Sequence, residues 1–372
     1  MSSFFYKPLA ADESGELFEE TRRRRTHVKK ILFHFVAVAA FLYGIYLGTS
    51  GLLKLSGKRR PCHGPTNLNS TLPSHYTLPS GDKIPTVALG VWQAARGEVG
   101  AAVSSALKVG YRHIDGAWAY GNEAEVGQAV KSSGIPREDI WITSKLWNTF
   151  HAPEDIEPAL DDTLTKLDTP YLDLYLIHWP VAFKKNTNEV DEELTANPYP
   201  TWAKLEELVD KGKIRNIGIS NFNIARIKNL TANPLKYKPA VNQVELNYFN
   251  PQPELLQWSK ENGLILEAYS PLGSTKQVKE ALNVPIVLNI SHRLGITPAQ
   301  VLISWHVKRG TVVLPKSVTT SRIEENFAVF DLPDDLFTKL ETAATSHPPQ
   351  RVVNPSQGWG LDYDIFDENL PY

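Results

Sequence analysis

The sequence predicts an α/β protein, a (β/α)8 TIM barrel preceded by an N-terminal transmembrane helix. From His75 onward, short apolar β-rich segments alternate with amphipathic helical segments, which is typical of parallel strands joined by helical crossovers. Eight such repeats within about 250 residues fit a closed barrel better than an open sheet. The apolar run 31–53 contains no Asp, Glu, Lys or Arg and is long enough to span a bilayer, which predicts the transmembrane helix.

The composition is that of an ordinary globular protein. The chain has 372 residues, of which 42% are hydrophobic and 22% are charged. The formal net charge of −2 gives no reason to expect a nucleic acid partner. Cys62 is the single cysteine, so an intrachain disulfide is excluded.

We divide the chain into a polar tail (1–30), the transmembrane helix (31–53), a linker (54–74) and the barrel with its C-terminal loop (75–372). A buried core helix and a cleaved signal peptide are the alternatives for the apolar run. The run is too long and too late in the chain for a signal peptide, and it lacks a clear cleavage site. We therefore expect a single-pass membrane protein, with the endoplasmic reticulum as a candidate location.

More Lys and Arg residues precede the apolar run than follow it, which weakly favours a cytosolic N-terminus and a barrel on the far side of the membrane. Only on that side could the three glycosylation sequons be used. They begin at Asn69, Asn229 and Asn289. Such triplets also arise by chance.

The barrel pattern opens with a hairpin that turns at residues 80–82. The predicted core strands are Val87–Leu89, Tyr111–Ile114, Ile140–Lys145, Leu172–His178, Ile214–Ser220, Ala240–Glu245, Leu264–Tyr269 and Val312–Pro315. The predicted helices between them include Val99–Val109, Ile156–Leu167, Trp202–Lys211 and Pro298–Lys308. The aromatic, irregular tail after Thr345 could close over the barrel mouth.

Four candidate catalytic residues stand at or just beyond predicted strand ends. Asp115 and Tyr120 lie in the stretch GYRHIDGAWAYGNEAEVG, Lys145 in TSKLW and His178 in LIHWP. Each has a plainer interpretation: an Asp-Gly turn, a core tyrosine, a solvated lysine or a core histidine. Because a (β/α)8 barrel keeps its chemistry at the C-terminal ends of its strands, we expect the four side chains to converge on one mouth.

This set suits the protonation of an oxygen while a hydride arrives at its carbon. A buried Lys145 ammonium is expected to lower the pKa of Tyr120, and Asp115 can hold the lysine. Tyr120 then becomes a usable general acid, and His178 can orient a carbonyl oxygen. None of these groups is a good nucleophile for acyl transfer, and no Cys/His cluster indicates a metal.

The stretch LPKSVTTSRIEEN predicts a phosphate site made by Lys316, Ser317 and Arg322 at the start of a helix near Ser321. Two cations suit the 2′-phosphate of NADPH better than the ribose hydroxyl of NADH. No GxGxxG motif follows a strand, so a Rossmann domain is not indicated. Tyr269 could stack on the nicotinamide. The residues that could hydrogen-bond its carboxamide are Ser220, Asn221 and Gln243.

From about His75 to the C-terminus, the chain resembles the aldo-keto reductase family, and within it the fungal NADP-dependent glycerol dehydrogenases and aldehyde reductases. The resemblance rests on the segments GYRHIDGAWAYGNEAEVG, TSKLW, YLDLYLIHWP, GISNF, NQVELN, EAYSPLGS and LPKSVTTSRIEEN in this order. It implies that Tyr120 donates the proton, that Lys145 and Asp115 support it, and that the substrate lies against His178, Trp92 and Trp179. It also implies NADP(H) binding by Asp115, Ser220, Asn221, Gln243, Tyr269, Ser270, Leu272, Ser274, Lys316, Ser317, Thr319, Arg322, Glu325 and Asn326.

We therefore expect an NADPH-dependent oxidoreductase that reversibly reduces an aldehyde or ketone to an alcohol, with the barrel acting as a monomer on a small-molecule substrate. The alternative is an NADP(H)-binding module with little turnover that regulates a membrane partner, as channel β-subunits of this family do. The complete set of Asp, Tyr, Lys and His favours the enzyme, whereas the anchor keeps the alternative open.

Overall fold

The computed structural model describes residues 71–367, which belong to one compact unit, Pro65–Tyr372. The predicted tail 1–30, the apolar run 31–53, most of the linker and Asn69 lie outside the described residues. Between residues 71 and 367, no helix is long and apolar enough to cross a membrane.

The strands form an antiparallel hairpin and an eight-stranded parallel sheet. The hairpin consists of β1 (His75–Thr77) and β2 (Lys83–Pro85). The parallel strands are β3 (Leu89–Gly90), β4 (His113–Asp115), β5 (Trp141–Leu146), β6 (Leu172–Ile177), β7 (Ile214–Ser220), β8 (Val241–Glu245), β9 (Ile265–Tyr269) and β10 (Val312–Leu314). Each pairs with the next one along the chain.

Helices follow most of the strands and form an outer layer around the sheet. They are α1 (Val99–Val109), α2 (Glu123–Ser132), α3 (Pro153–Leu167), α4 (Glu192–Ala196), α5 (Tyr199–Asp210), α6 (Ile224–Thr231), α7 (Pro253–Glu261), α8 (Ser274–Leu282), α9 (Pro285–Leu294), α10 (Pro298–Arg309), α11 (Thr320–Phe327) and α12 (Asp334–Thr345). Their buried faces pack with the outward side chains of the strands in the main hydrophobic core.

The sheet closes into a barrel where β3 meets β10. The backbone N–H of Ala88 donates to the carbonyl of Val313 at 2.9 Å, and the N–H of Val313 donates to Thr86 at 2.8 Å. One step further along, the N–H of Gly90 donates to the carbonyl of Pro315 at 3.1 Å. These bonds pair the first and last strands in parallel, so the predicted eight-stranded barrel is confirmed.

The hairpin covers the N-terminal end of the barrel. Ile84 of β2 belongs to the same buried cluster as Leu174 and Val312. The side chain of Asn216, near the start of β7, bonds Ser80 and Asp82 in the hairpin turn. With this end covered, the opposite end, where the strands have their C-termini, is the mouth.

Most predicted strand and helix bounds agree with the structure to within three residues, and α1 has the predicted bounds Val99–Val109. The first core strand is shifted within this range. It was predicted at Val87–Leu89 but forms at Leu89–Gly90, because Val87 pairs only as an isolated bridge with Val313.

Candidate active site

A buried ion pair lies at the barrel mouth, between the last residue of β4 and the fifth residue of β5. The ammonium of Lys145 donates to the two carboxylate oxygens of Asp115 at 2.9 and 3.0 Å and to the carbonyl of Gly116 at 2.8 Å. Lys145 has no solvent exposure. Burial opposes its charge, but Asp115, Tyr120 and Glu267 outweigh burial, and the pKa of Lys145 is raised above 10.5. The lysine is therefore a fixed cation.

Tyr120 closes a 3-10 turn, Trp118–Tyr120, just beyond β4. Lys145 donates to its hydroxyl oxygen at 3.4 Å. Burial has the largest effect on the pKa of Tyr120 and raises it, whereas Lys145 acts in the predicted, lowering direction. Burial raises the pKa of Tyr120 above 10, and the opposing charge and hydrogen bond of Lys145 do not offset this. The hydroxyl consequently keeps its proton at neutral pH, which is the state a proton donor requires.

His178 follows β6 directly and is 7% exposed. Its ring meets the Tyr120 ring edge to face, with centroids 5.8 Å apart. Burial, followed by the charge of Lys145, lowers the pKa of His178 well below 6.5, so the imidazole is neutral. A neutral imidazole carries one N–H donor, which can point to an oxygen held between His178 and Tyr120.

Beneath this group lies a chain of buried polar contacts that sequence reasoning captured only in part. The side-chain nitrogen of Gln243 donates to Asp115 at 2.8 Å and to Glu267 at 2.8 Å. Glu267 was not among the predicted site residues, although it is a charged residue inside an apolar strand, as Lys145 is. Burial and the charge of Asp115 raise the pKa of Glu267 to about 8.

The four predicted carboxamide-binding and stacking residues are linked to one another at the mouth. Ser220 donates to the backbone carbonyl of Gln243 at 2.8 Å, and Asn221 donates to Ser220 at 3.1 Å. The Tyr269 hydroxyl donates to the side-chain oxygen of Asn221 at 2.7 Å. The side-chain nitrogen of Asn221 also donates to the backbone carbonyl of His178 at 3.0 Å. This bond connects the carboxamide-binding and stacking residues to the catalytic candidates.

The predicted phosphate site keeps its cations available. Lys316 and Arg322 are exposed, and no carboxylate between residues 71 and 367 pairs with either. Between them begins α11, whose N-cap residue Thr319 makes no side-chain capping bond. Ser317 is nearly buried and accepts a bond from the Thr319 backbone N–H at 3.1 Å. An uncapped helix N-terminus beside two unpaired cations fits a dianionic phosphate group.

The remaining predicted cofactor residues are placed as follows. Half-buried positions after β9 and at the start of α8 hold Ser270, Leu272 and Ser274. On α11, the Glu325 carboxylate accepts from Thr297 at 2.6 Å, and Asn326 is buried. Glu325 therefore takes part in a contact between α10 and α11 that was not predicted from the sequence.

Trp92 and Trp179, the two tryptophans predicted to contact the substrate, lie just after the C-terminal ends of β3 and β6. Trp92 is 42% exposed on the loop after β3. Trp179 is buried and packs edge to face against Trp359 of the C-terminal tail, with centroids 5.2 Å apart. Trp147 joins the same cluster and lies 5.3 Å from the His178 ring. Trp147 and Trp359 were not predicted as site residues, because only the folded tail brings them together.

The C-terminal tail is held at the mouth by Glu245, the last residue of β8. Its carboxylate, which has no solvent exposure, accepts from the backbone N–H of Val352 at 3.0 and 3.1 Å and of Val353 at 2.8 Å. Ile365 further along is fully buried in the cluster with Trp179. These contacts agree with the prediction that the tail covers the mouth.

Two sequon asparagines lie within helices of the described chain. Asn229 on α6 is half-buried, and its side-chain nitrogen, the atom that would carry a glycan, donates to the carbonyl of Ala196 at 2.8 Å. Asn289 on α9 is exposed. Glycosylation at Asn229 would therefore require that hydrogen bond to break.

Comparison with known proteins gives a consistent classification. Residues 86–344 match the Aldo/keto reductase family. The chain is 42% identical to a glycerol 2-dehydrogenase (NADP(+)) of Hypocrea jecorina, over 79% of this chain and 98% of that protein. It is 43% identical to human aldo-keto reductase family 1 member A1, over 68% and 83%. The solved structure of the aldose reductase from Schistosoma japonicum superposes with a TM-score of 0.73 at 40% identity and covers 80% of this chain and 100% of that one.

The chain belongs to the aldo-keto reductase family. The resemblance identified in the sequence is thereby confirmed, and with it the class of enzyme, an oxidoreductase.

Proposed function

We propose that this protein reduces an aldehyde or ketone to an alcohol with NADPH, reversibly, and that Tyr120 donates the proton. NADP(H) use and oxidoreductase activity follow from membership of the family and from the NADP-dependent relatives. The observation that carries the assignment of residues is the contact of the protonated Tyr120 hydroxyl with the buried Lys145–Asp115 pair, beside a neutral His178.

When bound, NADPH supplies a hydride to the carbonyl carbon and is oxidised to NADP+. The side chains of the site orient and protonate the carbonyl oxygen of the substrate. His178 donates a hydrogen bond that orients it, and Tyr120 transfers its proton to it as the carbon is reduced. The phenolate left on Tyr120 lies next to the Lys145 ammonium, which stabilises it until a proton returns from solvent. Asp115 keeps Lys145 charged and in place.

The residues that would hold the cofactor divide into two groups. Ser220, Asn221 and Gln243 lie beside the catalytic candidates and would bind the nicotinamide end, with Tyr269 against its ring. Lys316 and Arg322, at the N-terminus of α11, would bind the 2′-phosphate. Because NADH lacks that phosphate, this site would select NADPH.

NADPH oxidation followed at 340 nm with a simple aromatic aldehyde tests the proposal. A turnover dependent on both NADPH and aldehyde is expected. Binding of NADPH without turnover on any of a panel of aldehydes and ketones would favour the regulatory module instead.

We also propose that the apolar run 31–53 anchors the enzyme in a membrane. The support is its length and its lack of charged residues. The barrel that follows contains the whole candidate site, so anchor and catalysis would be separable.

A further inference from the structure

Glu267 occupies the middle of β9, has no solvent exposure and lies in register with Gln243 of the neighbouring strand β8. Its Oε2 atom accepts from the Gln243 side-chain nitrogen at 2.8 Å. The same nitrogen donates to Asp115 at 2.8 Å, and Asp115 holds Lys145. Glu267 therefore begins a line of contacts that runs through Gln243 and Asp115 to the proton donor.

An amide side chain has two N–H donors on its nitrogen and acceptor capacity only on its oxygen. In Gln243, Asp115 and Glu267 engage both donors. A single hydrogen bond to Asp115 would let the amide plane pivot about that bond, whereas the second bond fixes the plane. The direction of the amide oxygen, the one acceptor left on this side chain, is fixed with it.

We propose that Glu267 is a positioning residue that fixes the plane of the Gln243 amide, so that the Gln243 oxygen accepts the N–H of the nicotinamide carboxamide. This inference rests on the proposed cofactor function of the mouth. It assigns to Glu267 no contact with the substrate or the cofactor.

The surroundings of the other oxygen of Glu267, Oε1, explain how a buried carboxyl group can accept a hydrogen bond from Gln243 next to Asp115. Oε1 is buried and has no hydrogen-bond partner in the described chain, and the nearest histidine nitrogen, Nε2 of His113, is 3.9 Å away. Burial and the charge of Asp115 raise the pKa of Glu267 to about 8, so at neutral pH the group is mostly protonated. With the proton on Oε1, Oε2 accepts from Gln243 without placing a second buried charge beside Asp115.

The test compares two cofactors that differ only at the group in question. NADP+ has a carboxamide NH2, and its 3-acetylpyridine analogue has a methyl group there. Dissociation constants are measured by quenching of tryptophan fluorescence, without turnover. Wild type is expected to prefer NADP+ by about five- to tenfold, the size of one net hydrogen bond. Glu267→Leu is expected to lose most of that preference.

Two variants serve as controls. Glu267→Gln keeps an acceptor of the same shape at Oε2 and is expected to retain the wild-type preference. Gln243→Leu removes the accepting oxygen and should abolish the preference, and adding Glu267→Leu to it should change nothing further. Glu267→Met replaces Glu267→Leu if melting curves show that the leucine variant does not fold.

A purely structural role would weaken the binding of both cofactors equally and leave their ratio unchanged. An unchanged ratio in Glu267→Leu or Glu267→Met would therefore overturn the inference alone. If wild type binds neither cofactor, the proposed function fails as well.

Discussion

The Lys145 ammonium lies 3.4 Å from the Tyr120 hydroxyl oxygen but only 2.9 and 3.0 Å from the oxygens of Asp115. In this state the lysine is chiefly the partner of the aspartate. When the tyrosine proton leaves, the negative charge on Tyr120 grows, and the attraction of Lys145 for it grows too. The lysine thus stabilises the product of proton transfer more than its starting state, which is the condition for accelerating the step.

Tyr120→Phe is expected to reduce kcat for carbonyl reduction by at least a hundredfold, the low end of general-acid contributions. Cofactor dissociation constants should stay within about threefold of wild type, because the phenyl ring keeps the shape of the pocket. Tyr237→Phe is the matched control, since that hydroxyl bonds only the exposed Asp210 among the described residues. Rates above a hundredth of wild type would argue against Tyr120 as the donor.

Arg322→Ala is expected to weaken NADPH binding by about tenfold or more, the size of a charged hydrogen bond, and to leave NADH binding nearly unchanged. The dissociation constants of both cofactors are measured by titration. Arg293→Ala provides the control, because Arg293 is exposed and pairs with Asp335. Equal weakening for NADPH and NADH would mean that Arg322 does not recognise the 2′-phosphate.

Glu267→Gln is expected to stabilise the protein at pH 8 relative to wild type, and less so at pH 5. The folded pKa of Glu267 is about 8, above its ordinary value of 4.5. Between these two values the folded state binds more protons than the unfolded state, so wild type loses stability as pH rises, by at most about 1.4 kcal/mol per pH unit. Urea unfolding at the two pH values measures the difference. A gain that is equal at both pH values would contradict the raised pKa.

Trp359→Ala is expected to raise KM for benzaldehyde several-fold more than KM for propionaldehyde. Trp359 packs edge to face against Trp179 and Phe183, and each such pair contributes about 0.5–1.5 kcal/mol beyond the area it buries. An aromatic substrate that packs against these rings loses more than a small aliphatic one. If both KM values change by the same factor, Trp359 supports the mouth without selecting the substrate.

The chain is expected to remain in the membrane pellet after a carbonate wash, whereas a version that starts near His75 should be soluble and active. The reason is that the apolar run and the barrel share no motif of the candidate site. Full recovery of the intact chain in the soluble fraction would contradict the proposal that the apolar run is a membrane anchor.

Endoglycosidase treatment tests on which side of the membrane the barrel lies. A mobility shift that disappears in Asn69→Gln would place the barrel in the lumen. The absence of a shift, together with cleavage of the barrel by protease in intact microsomes, would place it in the cytosol.

The parts of the site that follow from strand ends could be predicted from the sequence, because parallel strands in a barrel deliver their last residues to one rim. Asp115 and Lys145 are of this kind. The direction in which the pKa of Tyr120 shifts could not be predicted, because it depends on whether burial outweighs the effect of one nearby cation. The partners of Gln243 depend on which side chains face each other across the barrel, and a strand list does not specify that.

The tail shows the same limit. Its aromatic composition indicated a cover for the mouth, but nothing in the sequence linked Val352 and Val353 to Glu245, more than a hundred residues earlier. Glu267, in contrast, could have been found. A carboxylate in the apolar strand ILEAY indicates a paired group for the same reason as Lys145 in its own strand.

The seam between Ala88 and Val313 can form only late in the synthesis of the protein. A ribosome delivers β3 early and β10 only after more than two hundred further residues. Until β10 emerges, the nascent sheet has two open edges whose unpaired N–H and C=O groups can bind other chains. A premature stop before β10 would therefore yield an aggregation-prone open sheet and not a smaller enzyme. We expect chaperone dependence during synthesis to end once Val312–Leu314 has left the ribosomal tunnel.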